Sequence, residues 1–518
     1  MVQTRNRIHT GTLSLLSILL LSACGGGGGG IADGGDSWSL NPAGAVSYSA
    51  AATHFQGPIS GLGSIVVNGV RFETTGASIY DPDSFDDSTP FGSDLAMGMT
   101  VALMGDADES QHLGRASRVR VVGGVRGTLT PSVDMSVLNH TLAFPTQTVS
   151  FTDATLFSGT VGSTSINSAT QLSALTSPVL LNVYGLMQSD NSFLATRVVL
   201  IDPSTHDLDL AVRGKVTAII GNSYTVATGA ATSVTVDCTS CTIQPTGNTP
   251  AVNDAVRVLA TDGNSFNPGT STLTGSRMQL VDAIRLARFG GVASGFAKIK
   301  GAATQVASDW YVADVLVTGF SNFVAGQFYE VKGTWSGNTL VATVVEQEGH
   351  DEIVDGSGNN HNYGNELYGA VSQLSGSSMT VQGITVDVSS AYFKRGSLAS
   401  LANGQFVEIK GTLNANGVLM AIQVEVKSSS NGSDDGQGRY FEIKGVVGQW
   451  MGAGQVFSIT DRSGAVLTAR PRTSTVYKSN LLPSNGSRVE IKGFMNTVGE
   501  FEVIKLEVKS GHNGHSDD

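Results

Sequence analysis

The chain has 518 residues, 64 of them glycine, with 43 acidic against 31 basic side chains and a formal net charge of −12. That length exceeds what one hydrophobic core usually fills, so several domains are expected. The acidic balance argues against a polyanionic partner such as nucleic acid or anionic lipid. Val, Thr, Ser and Gly recur throughout and no long amphipathic helical pattern appears, so the composition reads as all-β with many short strands.

At the N-terminus, Arg5 and Arg7 precede an apolar run from Leu13 to Leu21 that is too short to span a bilayer. It ends in Leu21-Ser22-Ala23-Cys24, which resembles a bacterial lipobox. The expectation is a lipoprotein signal peptide over 1–23 and a mature N-terminus at Cys24 carrying lipid, which anchors stably once two or more acyl chains are present. Residues 24–54, with glycine at 25–30, read as a flexible tether. Gly rather than Asp follows the cysteine, and in similar proteins that residue does not retain the chain at the inner membrane, so the expected address is the outer membrane.

Beyond the tether the sequence reads as six repeats: 55–122, 123–203, 208–288, 290–348, 366–427 and 439–510. Linkers are expected at 349–365 and 428–438, and a polar tail at 511–518. The openings are placed at Gly61, Gly127, Gly214, Gly295, Gly369 and Gly445. A hairpin follows, clearest at Asn68-Gly69 between Ile65-Val66-Val67 and Val70-Arg71-Phe72, and matched around Gly383. Apolar pairs three apart (Leu172/Leu175, Phe320/Phe323, Leu398/Leu401) predict one helical turn.

Then comes the clearest signature, Val407-Glu408-Ile409-Lys410-Gly411, returning around Glu330 and Glu490 with a fainter copy around Glu442. Period-2 alternation makes this a half-buried strand with Glu and Lys on an outer charged face, closed by a glycine that permits a bulge. The first three units keep only its apolar skeleton. A last strand, such as Ile422 to Lys427, completes each unit, and on the outer face Glu408 and Lys410 are expected to meet Glu425 and Lys427. The order strand, strand, strand, short helix, strand, strand is that of a five-stranded OB-like barrel, and short linkers suggest semi-independent beads.

The V-E-I-K-G strand, Gly404-Gln405 before it, and Ala421 to Val426 after it resemble the repeats of the bacterial domain-of-unknown-function family 5666. The resemblance is good in the last three units and weaker in the first three. It implies small β-barrels in secreted or lipid-anchored proteins, and no catalytic residues.

The remaining candidates are few. Cys238-Thr239-Ser240-Cys241 lies among strands, which favours a structural disulfide over a redox or zinc site. Asp81 to Asp87 reads as a solvated acidic loop lacking the Gly and Glu of a calcium loop. His350, Asp351, Glu352, His361, His512 and His515 read as polar linker and tail. No nucleophile elbow, phosphate loop or metalloprotease motif is present, so no catalytic residue, cofactor or metal is expected. The functional expectation is a non-enzymatic, lipid-anchored envelope protein acting as spacer or as protein or glycan scaffold. The alternative is a carbohydrate- or cell-wall-binding array, for which Trp310-Tyr311, Trp335 and Trp450 are the candidate platforms.

Overall fold

A computed structural model describes residues 53–509 apart from 85–88, 109–112, 130–132, 136–139, 145, 203, 205–209, 262–264, 282–293, 337–338, 349–364, 415, 428–440, 462–463, 465, 479–480 and 496–499. The expected tether, polar tail and most of both linkers lie outside these residues.

The chain is nearly all β and repeats one topology six times. The last barrel shows it plainly. Its strands are Phe441–Gln449, Phe457–Asp461, Val466–Tyr477, Arg488–Met495 and Phe501–Val508. The first pairs the second, the second the third, the third runs parallel to the fifth, the fifth pairs the fourth, and the fourth closes on the first. That 1-2-3-5-4-1 closure is the OB arrangement, and it leaves no open edge. Barrel 4 repeats it with Ser294–Val306, Asp309–Val312, Val315–Thr318, Phe328–Ser336 and Thr339–Glu348. In barrels 1 and 2 one strand is split in two, and in barrels 3 and 5 two strands are, but the pairing scheme is the same.

The registers show what the repeat conserves. A glycine on each first strand faces the first apolar residue of the signature strand: Gly57 and Val101, Gly127 and Leu181, Gly214 and Val256, Gly301 and Tyr329, Gly369 and Val407, Gly445 and Val489. The opening glycines of barrels 1 and 4 are therefore Gly57 and Gly301, not Gly61 and Gly295. A spacing of apolar residues does not reveal this, because the identity of the glycine is fixed by its cross-strand partner. The second repeated glycine sits at a register shift in the signature strand of every barrel but the third: Gly105, Gly185, Gly333, Gly411 and Gly493. A Cβ at Gly493 would lie 1.8 Å from the carbonyl oxygen of Glu502, and one at Gly333 2.0 Å from that of Val341. The bulge brings two backbones too close for a side chain.

A short α-helix, Ala169–Ser173, and a 3-10 turn, Leu398–Ser400, fill the expected helical position in barrels 2 and 5. Phe320 and Phe323 in barrel 4 form no helix. Their rings pack edge to face at 4.7 Å, and aromatic packing takes the place of a helical turn.

The barrels are not beads. The first strand of barrel 1, Thr53–Leu62, runs parallel to the first strand of barrel 4 over Thr53 to Gln56, and to that of barrel 5 at Gly61 and Leu62. Barrel 1 also donates Thr100 Oγ1 to Gly185 O of barrel 2, holds Arg257 of barrel 3, and pairs Glu73 with Lys492 of barrel 6. It thus touches all five other barrels. Its outer residues His54, Gln56, Ser60 and Arg71 are buried as a result.

Candidate functional site

The signature strands bury their glutamates rather than leave them in solvent. Glu330, Glu408 and Glu490 are all buried. A buried carboxylate must be paired or protonated, and each is ringed by lysines. Glu330 has Lys298 at 3.2 Å, Lys332 at 3.5 Å and Lys300 at 3.6 Å. Glu408 lies directly opposite Glu425, and Lys427 bridges the two at 2.6 and 3.0 Å. Glu490 lies opposite Glu507, and Lys509 bridges them at 3.0 and 3.1 Å. So the expected exposed charged face is buried at Glu408 and Glu425, and Lys410 turns instead to Glu366 at 2.9 Å. In barrels 4 and 6 barrel 1 packs against this face. Lys298 Nζ donates to Asn68 O of barrel 1 at 2.6 Å, and the Thr75 hydroxyl of barrel 1 bonds Glu490. Burial alone would raise the Glu490 carboxyl, but Lys444, Lys509 and Thr75 hold it below the usual range.

The acidic loop at Asp81 is likewise not solvated. Asp83 enters a seam shared by barrels 2 and 3, where Arg257 Nη2 lies 2.7 Å from Oδ1 and Arg126 Nη1 3.0 Å from Oδ2. Arg277 and Gln279 donate to its backbone carbonyl at 2.6 and 3.3 Å. Burial raises the Asp83 carboxyl, yet the two guanidiniums outweigh it and hold it well below the usual carboxylate range. Burial and the Asp83 charge push Asp81 up. Asp86 and Asp87 lie outside the described residues. The composition of the loop gave no sign of this role. The one available signal was Val256-Arg257-Val258, where the third repeat puts Arg in place of the signature Glu.

The aromatic candidates divide. Trp335 is core, and Trp310 packs on Phe323 at 5.6 Å. Tyr311 is half-buried. Trp450 stands at the mouth of barrel 6, edge-on to Phe457 at 5.2 Å and to Tyr477 at 6.4 Å. Its backbone N–H donates to Asn485 Oδ1 at 2.6 Å, which ties its loop to the segment carrying Leu481 and Leu482. Met451 is 72% exposed and both leucines 54%, so this mouth keeps apolar surface in water.

Cys238 and Cys241 stand as a disulfide with Cα atoms 4.6 Å apart. Cys24 and the histidines at 350, 361, 512 and 515 lie outside the described residues. Among the described residues no three His, Cys, Asp or Glu side chains are gathered as a metal ion would require.

With this geometry in place, the chain can be compared with known proteins. Residues 56–120, 135–199 and 368–425 match a family described as Domain of unknown function (DUF5666). These are barrels 1, 2 and 5, so the match is not confined to the units where the Glu and Lys are most visible. No curated protein matches the chain. The solved structure "drosophila Unr CSD456" matches at 12% identity, covering 59% of this chain and 100% of its own, with a TM-score of 0.12, and that likeness carries no argument.

Proposed function

We propose that this chain is a non-enzymatic, lipid-anchored protein of the bacterial cell envelope that serves as an interaction scaffold for a protein or glycan partner. The observation that carries the scaffold over the spacer is the contact of barrel 1 with all five others. A spacer gains from reach, and six barrels in a row would supply it. Barrels gathered around one hub give up reach and gain a broad surface with fixed relative positions. Inter-barrel pairing of buried Glu, Lys, Arg and Asp fixes those positions more than it adds stability.

Anchoring is supported by the order of Arg5 and Arg7, the apolar run, Leu21 to Cys24 and the glycines at 25–30, and Gly25 favours the outer membrane. Replacing Cys24 with Ser tests it. The variant is expected in the soluble fraction and without label from an alkyne-palmitate, and a variant that still sediments with membranes sinks the anchor. A second reading, a carbohydrate- or cell-wall-binding array, is favoured by Trp450 with its exposed neighbours. Retention on immobilised cell-wall glycan that Trp450→Ala abolishes would select it.

A further inference from the structure

Among the described residues, five of the six barrels share apolar packing with a neighbour. Leu367 and Ile409 of barrel 5 lie in one buried cluster with Phe55 and Val67 of barrel 1. Leu186 of barrel 2 clusters with Phe328 of barrel 4, Ala102 of barrel 1 with Trp335 of barrel 4, and Phe406 of barrel 5 with Phe501 of barrel 6. Barrel 3 stands apart. Its buried cluster, which includes Val212, Val226, Val258 and Met278, draws only on its own strands among the described residues. The Leu210 side chain reaches Gly127 of barrel 2 without joining the cluster there.

Polar contacts hold barrel 3 to its neighbours. Toward barrel 2, Thr228 O accepts from Gln147 Nε2 at 2.8 Å and from the Thr148 N–H at 3.1 Å. The Arg213 N–H donates back to Gln147 Oε1 at 2.9 Å. Arg213 Nη1 and Arg257 Nε donate to the carbonyls of Gly123 and Gly124 at 3.1 and 3.2 Å. One backbone pairing, Ala211 opposite Arg126, joins the two sheets. Toward barrel 1, Arg257 and Arg277 hold Asp83. Toward barrel 4, Arg213 Nη2 lies 3.6 Å from Asp314 Oδ2 and Lys215 Nζ 3.4 Å from the Thr304 hydroxyl. Where barrels 2, 3 and 4 meet, a cleft remains, with Gln188, Asn191, Lys215 and Thr304 on its walls.

We propose that barrel 3 docks and undocks as an intact unit while the other five barrels stay together. Opening a polar seam exchanges its hydrogen bonds and ion pairs for water, whereas opening an apolar seam exposes surface that water does not compensate. Units of one chain move relative to one another by default, unless the interface between them is large and hydrophobic. Buried charge pairs set the geometry of a seam more than its strength. The released barrel stays whole: its sheet closes on itself, its apolar cluster is its own, and the Cys238–Cys241 bridge lies within it. Undocking bares a basic face of Arg213, Lys215, Arg257 and Arg277 in a chain of net charge −12. The scaffold reading is independent of this motion, because the other five barrels keep their relative positions.

Hydrogen exchange of the full chain, resolved to single amides by mass spectrometry, tests the motion. The Thr148 and Arg213 amides bond across the seam. The Val216 and Ser276 amides bond inside barrel 3, to Asp254 O and Leu259 O at 3.0 and 2.8 Å. Undocking exposes the first pair and leaves the second protected, so the seam amides are expected to exchange at least about tenfold faster, a difference that sub-global opening produces. Raising NaCl from about 0.1 to about 1 M shortens the Debye length from about 10 to about 3 Å and should speed the seam amides alone. The double change Asp83→Asn, Asp314→Asn should speed them at low salt too, with continued protection at Val216 and Ser276 showing that barrel 3 is still folded. The amides that pair Thr53 to Gln56 with Phe296 to Ile299, between barrels 1 and 4, should respond to neither change. Seam amides that keep step with Val216 and Ser276 in all these conditions would mean that barrel 3 leaves its place only by unfolding. Equal acceleration between barrels 1 and 4 would mean that the whole assembly loosens. Either result overturns the proposal.

Discussion

Arg257 of barrel 3 grips Asp83 of barrel 1 at 2.7 Å from the position where barrels 4, 5 and 6 carry their signature glutamate. That one outward place on the strand meets barrel 1 from both barrel 3 and barrel 6, where Glu490 bonds the Thr75 hydroxyl, with the sign of the charge reversed in barrel 3. Removing one partner of a buried pair leaves the other charge uncompensated, which costs about 3–5 kcal/mol. Asp83→Ala is expected to destabilise the chain by about that much in denaturant unfolding, and a change under 1 kcal/mol would show that solvent reaches the seam.

Two buried groups give the stability a two-part pH profile. Burial lowers His54 to about 4 in the folded protein, while in the unfolded chain it titrates at the ordinary value of 6.5. The unfolded state therefore binds the extra proton first, and stability falls as pH drops from about 6.5 to about 4, by about 2–3 kcal/mol. Asp83 behaves in the opposite sense of charge. Its folded value is depressed, so its contribution is full above about pH 4 and fades as pH falls further. Urea unfolding between pH 7 and 3 should show both parts. His54→Gln should flatten only the upper one, and a flat wild-type profile across that upper range would refute the assignment.

The bulge glycines give a sharp contrast. Gly493→Ala and Gly333→Ala would each press a methyl against a carbonyl oxygen, at 1.8 and 2.0 Å before relaxation. Overpacking of this kind costs about 1–3 kcal/mol. Gly92→Ala, with nothing within 4 Å, should leave Tm where it is. Equal effects at the three positions would argue that the close approach is not what selects glycine.

Barrel 5 is not expected to be whole when cut out. Tyr368, Ala370 and Phe406 lie in one apolar cluster with Ile443, Phe457 and Phe501 of barrel 6. Exposing Tyr368 and Phe406 alone forfeits about 1.5–3 kcal/mol each, a large part of what a barrel this small can hold. A fragment spanning 366–427 should bind a hydrophobic dye and melt well below the full chain. An excised barrel as stable as its parent would restore the beads.

The Cys238–Cys241 bridge closes a very small loop, so the entropic part of its stabilisation falls well under the roughly 3 kcal/mol of a fifteen-residue loop. The double Cys→Ser chain should fold with a slightly lower Tm. Intact mass of the untreated chain should rise by two hydrogens on reduction. Loss of folding in the double variant would show that the bridge holds more than its local loop.

The single barrel was largely legible in the sequence because its rules are local. Alternation in Val407 to Gly411, the Asn68-Gly69 turn and the closing Val424 to Lys427 strand each follow from neighbours a few residues apart. The assembly was not legible, because its contacts join residues such as Asn68 and Lys298, which no local pattern links. The charged face was misread for the same reason: period 2 tells which side of a strand Glu490 is on, but not that Thr75 of barrel 1 meets it there. Trp335 and Trp450 look alike in sequence, and only the folded chain shows the first buried in its barrel and the second beside the exposed Met451.

The parallel pairing of Thr53 to Gln56 with Phe296 to Ile299 has a consequence for biogenesis. The first barrel to be synthesised waits for strands made hundreds of residues later before its polar flank is covered. Until then His54, Gln56 and Arg71 face water, which suits them, while Ala102 and Val122 wait uncovered for the apolar cluster of barrel 4. Native topology of this kind carries a high contact order, and so a slow final docking step after six fast local closures. Of the six barrels, barrel 1 is the first made and the last to reach its finished surroundings.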